Sequence, residues 1–241
     1  MSNERTLYHL GCGETHLDGY VNVDVRPTAA TDVICDLNEL ELPPPVEGFF
    51  SHAFFEHLLR DARVPHLLAA RRLLADHGFV CYLGLPDFRA VAEHYLSRSP
   101  GVIGPTFDLY NVYRYTHGDP ENVDYYFEQL HKSLFDVEEL QRLLADAGFA
   151  SYVAFGYAFP GEQARVNLGF FATPATVPVS RLRERAVAFL AQFDKRFLQL
   201  ETLEFVDGRT RSQLQTRIAG SPLRRTLRPF TTRVARRLAR I

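Results

Sequence analysis

The sequence is sparing with cysteine, has no long apolar run and carries no acid over its last 34 residues. Cys12, Cys35 and Cys81 are odd in number and far apart, which excludes a disulfide framework and a cysteine metal cluster. They read as small buried residues. No stretch reaches the roughly 18 apolar residues of a membrane-spanning helix. The polar start, MSNERTLYHL, lacks a basic-then-apolar leader, so a cytoplasmic location is expected. Repeats and low-complexity tracts are also missing. What is present is a 241-residue chain, 46% hydrophobic, sufficient for a real core. Its net charge of -2 hides an asymmetry: ten arginines fall in 208–241, while the rest carries 17 basic against 29 acidic residues.

Apolar runs alternate with helical patterns to about residue 175. Strands are expected at 6–10, 20–24, 32–35, 48–53, 79–85, 151–156 and 166–173, and helices at 63–75 and 137–147. Gly78 and Gly148 read as their stop signals. The alternation predicts an α/β fold, a Rossmann-like doubly wound, mostly parallel sheet. The short link between the last two strands predicts that one edge strand runs backwards. Residues 88–130, crowded with Phe and Tyr, follow the fifth strand and should form a lid over the carboxyl ends of the strands, where such sheets bind ligands. Tyr110, Tyr113, Tyr115, Tyr125 and Tyr126 suit either a stacking wall for an acceptor or the lid's own core. From Ser180 the pattern is helical through Leu203. The domains expected are therefore 1–175, carrying the insertion, and a helical extension, 176–241. Leu223, Leu227, Phe230, Val234, Leu238 and Ile241 share one helical face in the tail, with arginines on the others and a break at Pro229.

The stretch LYHLGCGETHLDGYVNVDV reads as strand, glycine turn, strand, with Asp24 at the end. Asp24 falls only eleven positions after Gly13. A dinucleotide fold spaces its acid about 20 residues on, after a full helix. The third glycine of that motif is replaced by His16, and Glu14 and Asp18 make the turn acidic. A pyrophosphate would be poorly served. An adenosine cofactor with a positive centre and no phosphate, S-adenosylmethionine, would be comfortable. Gly11 and Gly13 allow close backbone approach, Asp24 can accept both ribose hydroxyls, and Asp36 with Leu37 would stand near the adenine.

Here the chain resembles the class I S-adenosylmethionine-dependent methyltransferases, and within them the small bacterial branch often associated with glycan biosynthesis. The resemblance runs over about residues 7–173 in five ordered blocks: LGCGETHLDGYVNVDV, ICDLNEL, SHAFFEHL, LLADHGFVCYLGLPDF and HKSLFDVEELQRLLADAGF. The one departure is HGFV at 77–80, where the family usually has two adjacent glycines. The resemblance implies that Gly11, Cys12 and Gly13 line the cofactor loop, that Asp24 holds the ribose, and that Asp36 and Leu37 hold the adenine. It also implies that Ser51 and His52 contact the methionine end.

Transfer of a methyl group to an alcohol needs a base, and histidine is the usual one. His131, between the insertion and the helix at Val137, is the expected catalytic residue. His52 and His57 come next, with His57 read as a helix-packing residue and His117 as a turn residue. Asp87 could orient an acceptor, but a lone carboxylate does not make a metal site, and no metal is expected. The absence of an Asn/Asp-Pro-Pro-Tyr motif favours an oxygen acceptor. The expected function is O-methylation of a small-molecule or sugar/glycan acceptor. Two rivals stand beside it: an RNA-modifying methyltransferase anchored by the tail, and a non-catalytic scaffold with this fold. Residues 222–241 also suit an anionic membrane surface, which would place the protein at the inner face of the membrane. Nucleic acid is the weaker partner because the body is acidic, and the oligomeric state is not legible.

Overall fold

The computed structural model describes residues 6–118 and 126–206. Eight strands make one sheet: β1 (Leu7–Leu10), β2 (Val21–Asp24), β3 (Val33–Ile34), β4 (Val46–His52), β5 (Leu74–Pro86), β6 (Ser151–Tyr157), β7 (Asn167–Thr173) and β8 (Glu204–Val206). Their order is β3-β2-β1-β4-β5-β7-β6-β8. The first five pair in parallel. β7 runs antiparallel to both β5 and β6, and β8 antiparallel to β6. The reversal falls at the expected end of the sheet, but β7 lies inside that end, with β6 and β8 outside it.

The central strands are buried on both faces, and their side chains divide by the two-residue period of a strand. Phe49, Tyr82 and Phe170 face one core with Leu67 and Ala70 of α1 (Arg63–Leu73) and Leu140, Leu143 and Leu144 of a helix at Val137–Asp146. Phe50, Cys81, Leu83 and Phe171 face the other, with Leu182, Ala186 and Leu190 of a helix at Val179–Leu190. Between these come three short helices of the insertion: α2 (Phe88–Ser97), α3 (Leu109–His117) and α4 (Tyr126–Gln129), so that the two core helices are α5 and α6. Asp87, Asp108 and Asp136 cap α2, α3 and α5 by accepting backbone N–H groups of the first turn.

The link from β1 to β2 contains no helix; residues 11–20 are turns and irregular chain. A buried asparagine holds it. The Asn22 Oδ1 accepts from the Leu17 backbone N–H at 2.9 Å and lies 3.1 Å from His9 Nδ1. Its Nδ2 contacts the Leu17 and Tyr20 carbonyls, His16 Nδ1 and Asp32 Oδ2, all within 3.2 Å. The face left bare by the missing helix is covered from far along the chain. Phe193 stacks on Phe50 at 4.1 Å and reaches Tyr20 at 6.3 Å, while Arg196 donates to the His16 carbonyl.

Two local expectations change. The helical pattern from Ser180 ends at Leu190; beyond it Phe193 and Phe197 both pack on Phe50, and Glu204–Val206 is the eighth strand. Apolar spacing of three and four arose there from separate contacts rather than one helical face. Gly78 is not a helix stop, because α1 ends at Leu73 and the chain enters β5 directly. A Cβ at Gly78 would stand 3.0 Å from the Glu47 carbonyl of β4, so close strand packing asks for glycine. Gly148, at φ +75°, does close α5, where Phe149 N–H bonds to the Leu144 carbonyl. No helix among the described residues is long and apolar enough to cross a membrane. The basic tail, with its membrane and RNA readings, lies outside the described residues.

Candidate active site

The strand order reverses between β1 and β4, the switch point at which open α/β sheets bind ligands beyond the carboxyl ends of their strands. A cleft of about 450 Å³ lies there. Of the residues the sequence singled out, Gly11, Cys12, Gly13, Asp24, Asp36, Leu37 and His52 line it together. Ser51 does not; its side chain is fully buried and its Oγ has no hydrogen-bond partner.

The glycine turn is shaped by what presses on it. Gly11 has φ +66°, and a Cβ there would stand 2.6 Å from Phe54 Cβ, so only glycine fits. Phe54 follows Ala53, which has φ +55° and donates its N–H to the Leu83 carbonyl. Holding a residue with a side chain in this region costs about 1 kcal/mol or more. Such strain is characteristic of ligand sites.

Asp24 is buried at the end of β2. Its Oδ2 accepts the Gly13 N–H at 2.8 Å and its Oδ1 the Arg26 N–H at 2.9 Å. Each oxygen keeps one lone-pair direction for a ligand. Arg26 is a charge that the sequence reading missed near the loop. Its guanidinium stands 3.7 Å from Asp24 and 3.9 Å from Glu14, so two acids already balance it. Asp36 closes an Asx turn with Asn38, its Oδ1 accepting from both the Asn38 N–H and Nδ2. The Leu37 carbonyl accepts from buried His66 Nδ1 at 2.6 Å, while His66 Nε2 meets the Tyr82 hydroxyl at 2.7 Å. That pair of bonds fixes the far wall.

His52 stacks on Phe197 at 4.5 Å with its Nε2 buried and unbonded; burial holds its pKa down at about 4, so it is neutral. His131 does not line the cleft. It stands behind His57, which does, with ring centroids 5.1 Å apart. His131 Nδ1 lies 2.9 Å from the Tyr115 carbonyl, and His57 Nδ1 lies 3.2 Å from the Leu130 carbonyl. Burial lowers the pKa of both, that of His57 to about 4. Beside His57 on the same turn is Glu56, which the sequence reading passed over. It is 1% exposed, and neither carboxylate oxygen has a hydrogen-bond partner. Nothing in the pattern FFEHL separates a buried Glu from a solvated one.

The remaining candidates have structural work. Asp87 caps α2 and lines a separate hollow with His94 and Arg165. His117 ends α3, with Nδ1 2.8 Å from the Thr116 hydroxyl. Tyr115 is buried among Val91, Phe107, Ala164 and Val166, so it belongs to the insertion's own core, and it donates to Glu162 at 2.7 Å. Tyr113 stacks on His117, and Tyr110 is half exposed. Tyr125 lies outside the described residues. The insertion reaches the cleft through Glu128 and Gln129, with Lys132 just beyond.

No family model and no curated protein matches the chain. Among solved structures it is similar to a SAM-dependent methyltransferase from Archaeoglobus fulgidus, at 16% identity over 70% of this chain and 86% of that one, TM-score 0.49. It is similar to a SAM-dependent methyltransferase from Methanosarcina mazei at 12% identity, over 73% and 95% of the two chains, TM-score 0.46. It is also similar to a Thermotoga maritima SAM-dependent methyltransferase titled a possible histamine N-methyltransferase, at 15% identity, over 70% and 82%, TM-score 0.45.

Proposed function

We propose that the protein is an S-adenosylmethionine-dependent methyltransferase acting on a hydroxyl of a small-molecule or sugar acceptor. One observation carries the reading. Asp24 stands at the switch point with each oxygen anchored by a single backbone N–H, which leaves a matched pair of acceptors for a vicinal diol. The helix-free first link supports it, because no helix N-terminus faces the glycine turn to hold a phosphate. Glu14 and Asp24 beside that turn suit a cofactor with a positive centre. In this reading Asp36 Oδ2 and Leu37 receive the adenine, and Gly11, Cys12, Gly13 and His52 surround the methionine part. Ser51, buried within β4, does not reach the cofactor. His57, which reaches the cleft, takes the acceptor's proton, and His131 packs behind it. An in-line displacement then owes most of its rate to the positioning of the two substrates.

Calorimetric titration with S-adenosylhomocysteine tests this. Wild-type protein should bind, and Asp24→Asn, which keeps the shape but turns an acceptor into a donor, should bind at least about tenfold more weakly. Folded wild-type protein that fails to bind would overturn the reading.

A further inference from the structure

Glu56, His57 and His131 present an arrangement that the base role leaves unexplained. One donor atom from each lies within 4.8 Å of the other two. His57 Nε2 is 3.7 Å from Glu56 Oε1, too far for a hydrogen bond. Each histidine directs its Nδ1 at a backbone carbonyl, Leu130 for His57 and Tyr115 for His131. Those contacts put the proton on Nδ1 and leave Nε2 as a lone pair. A nitrogen of each imidazole and a carboxylate oxygen thus converge in a largely buried space. Neither oxygen of the carboxylate has a hydrogen-bond partner.

We propose that Glu56, His57 and His131 bind a divalent transition-metal ion, zinc in the first instance, at the inner edge of the cleft. Two imidazoles and one carboxylate with coordination positions to spare form a catalytic zinc set, and histidine ligands held by N–H bonds to carbonyls are its usual second layer. Ligands about 2.1 Å from one ion stand roughly 3 to 4 Å apart, so the three groups need to close by about 1–2 Å at most. Glu56 and His57 follow β4, and His131 follows α4. The ion would therefore clamp the end of the insertion to the sheet. Binding of the ion is independent of the methyl-transfer reading, but its role rests on it. With metal present, the histidines act on the acceptor through the ion. A bound ion would ease loss of the proton from an acceptor hydroxyl on an open position.

The test uses the full chain, stripped with chelator and titrated with zinc by calorimetry, with cobalt(II) absorption as a second probe. One tight site is expected, together with a rise in Tm on adding zinc. Glu56→Gln and His131→Gln should each weaken zinc at least tenfold and abolish that rise. S-adenosylhomocysteine binding, measured on the same samples, should persist in both, which separates this proposal from the methyltransferase reading and verifies that the variants fold. Zinc binding no tighter than in the variants, or an equal Tm rise in all three proteins, would overturn it.

Discussion

Asn22→Ala is the sharpest test of how the helix-free link holds its shape. The substitution removes six side-chain contacts: to His9, His16, Asp32, the Leu17 N–H, and the Leu17 and Tyr20 carbonyls. Asn22 is fully buried and His9 is 2% exposed, so water cannot simply replace it everywhere. The Asn22 N–H to Asp32 bond survives, since it is backbone. Tyr20 N–H still reaches the Leu17 carbonyl. The Leu17 N–H and His9 Nδ1 are the groups left stranded, at about 1–3 kcal/mol each, so a loss of about 3 kcal/mol is expected. For a domain of this size that corresponds to a fall in Tm of roughly 6–12 °C. Urea denaturation followed by circular dichroism measures the first and a thermal scan the second. The loosened link also carries Gly13 and its bond to Asp24, so S-adenosylhomocysteine affinity should fall in the surviving folded protein. A stability loss below about 1 kcal/mol with unchanged affinity would refute the claim that this asparagine replaces a helix.

Phe193→Ala should cost about 3–5 kcal/mol by emptying the stack on Phe50, and urea midpoints will show it. Ala53→Gly should raise stability by up to about 1 kcal/mol, because it relieves a φ of +55° beside the cleft; a destabilised variant in thermal scans would mean that the strain is absent. His66 is held at about 4 by burial against an ordinary value of 6.5, so the unfolded chain takes up its proton first as pH falls. Stability from His66 is therefore complete above about pH 6.5 and drains away toward pH 4. In His66→Gln the slope of stability over that window should flatten by about 1.4 kcal/mol per pH unit, measured by denaturation at several pH values.

Much of the sheet was legible because its central strands are buried on both faces and read as continuous apolar runs, such as VCYLGL, bounded by turns. The residues that line the cleft were legible because most sit at or just past strand ends, where chain position alone fixes their place. Residues whose role depends on contact across the fold were not. Arg26 is three-dimensionally part of the glycine turn but lies 13 residues past it. Asn22 looks like the polar position of an alternating strand, yet its partners come from three separate segments. β8 pairs with β6 from almost fifty residues away, and a three-residue edge strand leaves no period to detect. Glu56 was missed because a sequence cannot show that a carboxylate is buried without a donor.

The cover over the glycine turn has a consequence for synthesis. Leu17, Tyr20 and Phe50 leave the ribosome early, but Phe193 and Phe197 arrive some 140 residues later. At about 5–20 residues per second the turn's apolar back stays open for many seconds. The nascent chain thus carries a sticky, half-built cleft through most of translation. The ligand site matures only when its last aromatic lid is threaded into place. A holding chaperone should meet this protein there, and a stalled or truncated chain ending before residue 193 should aggregate although every strand but β8 is already made.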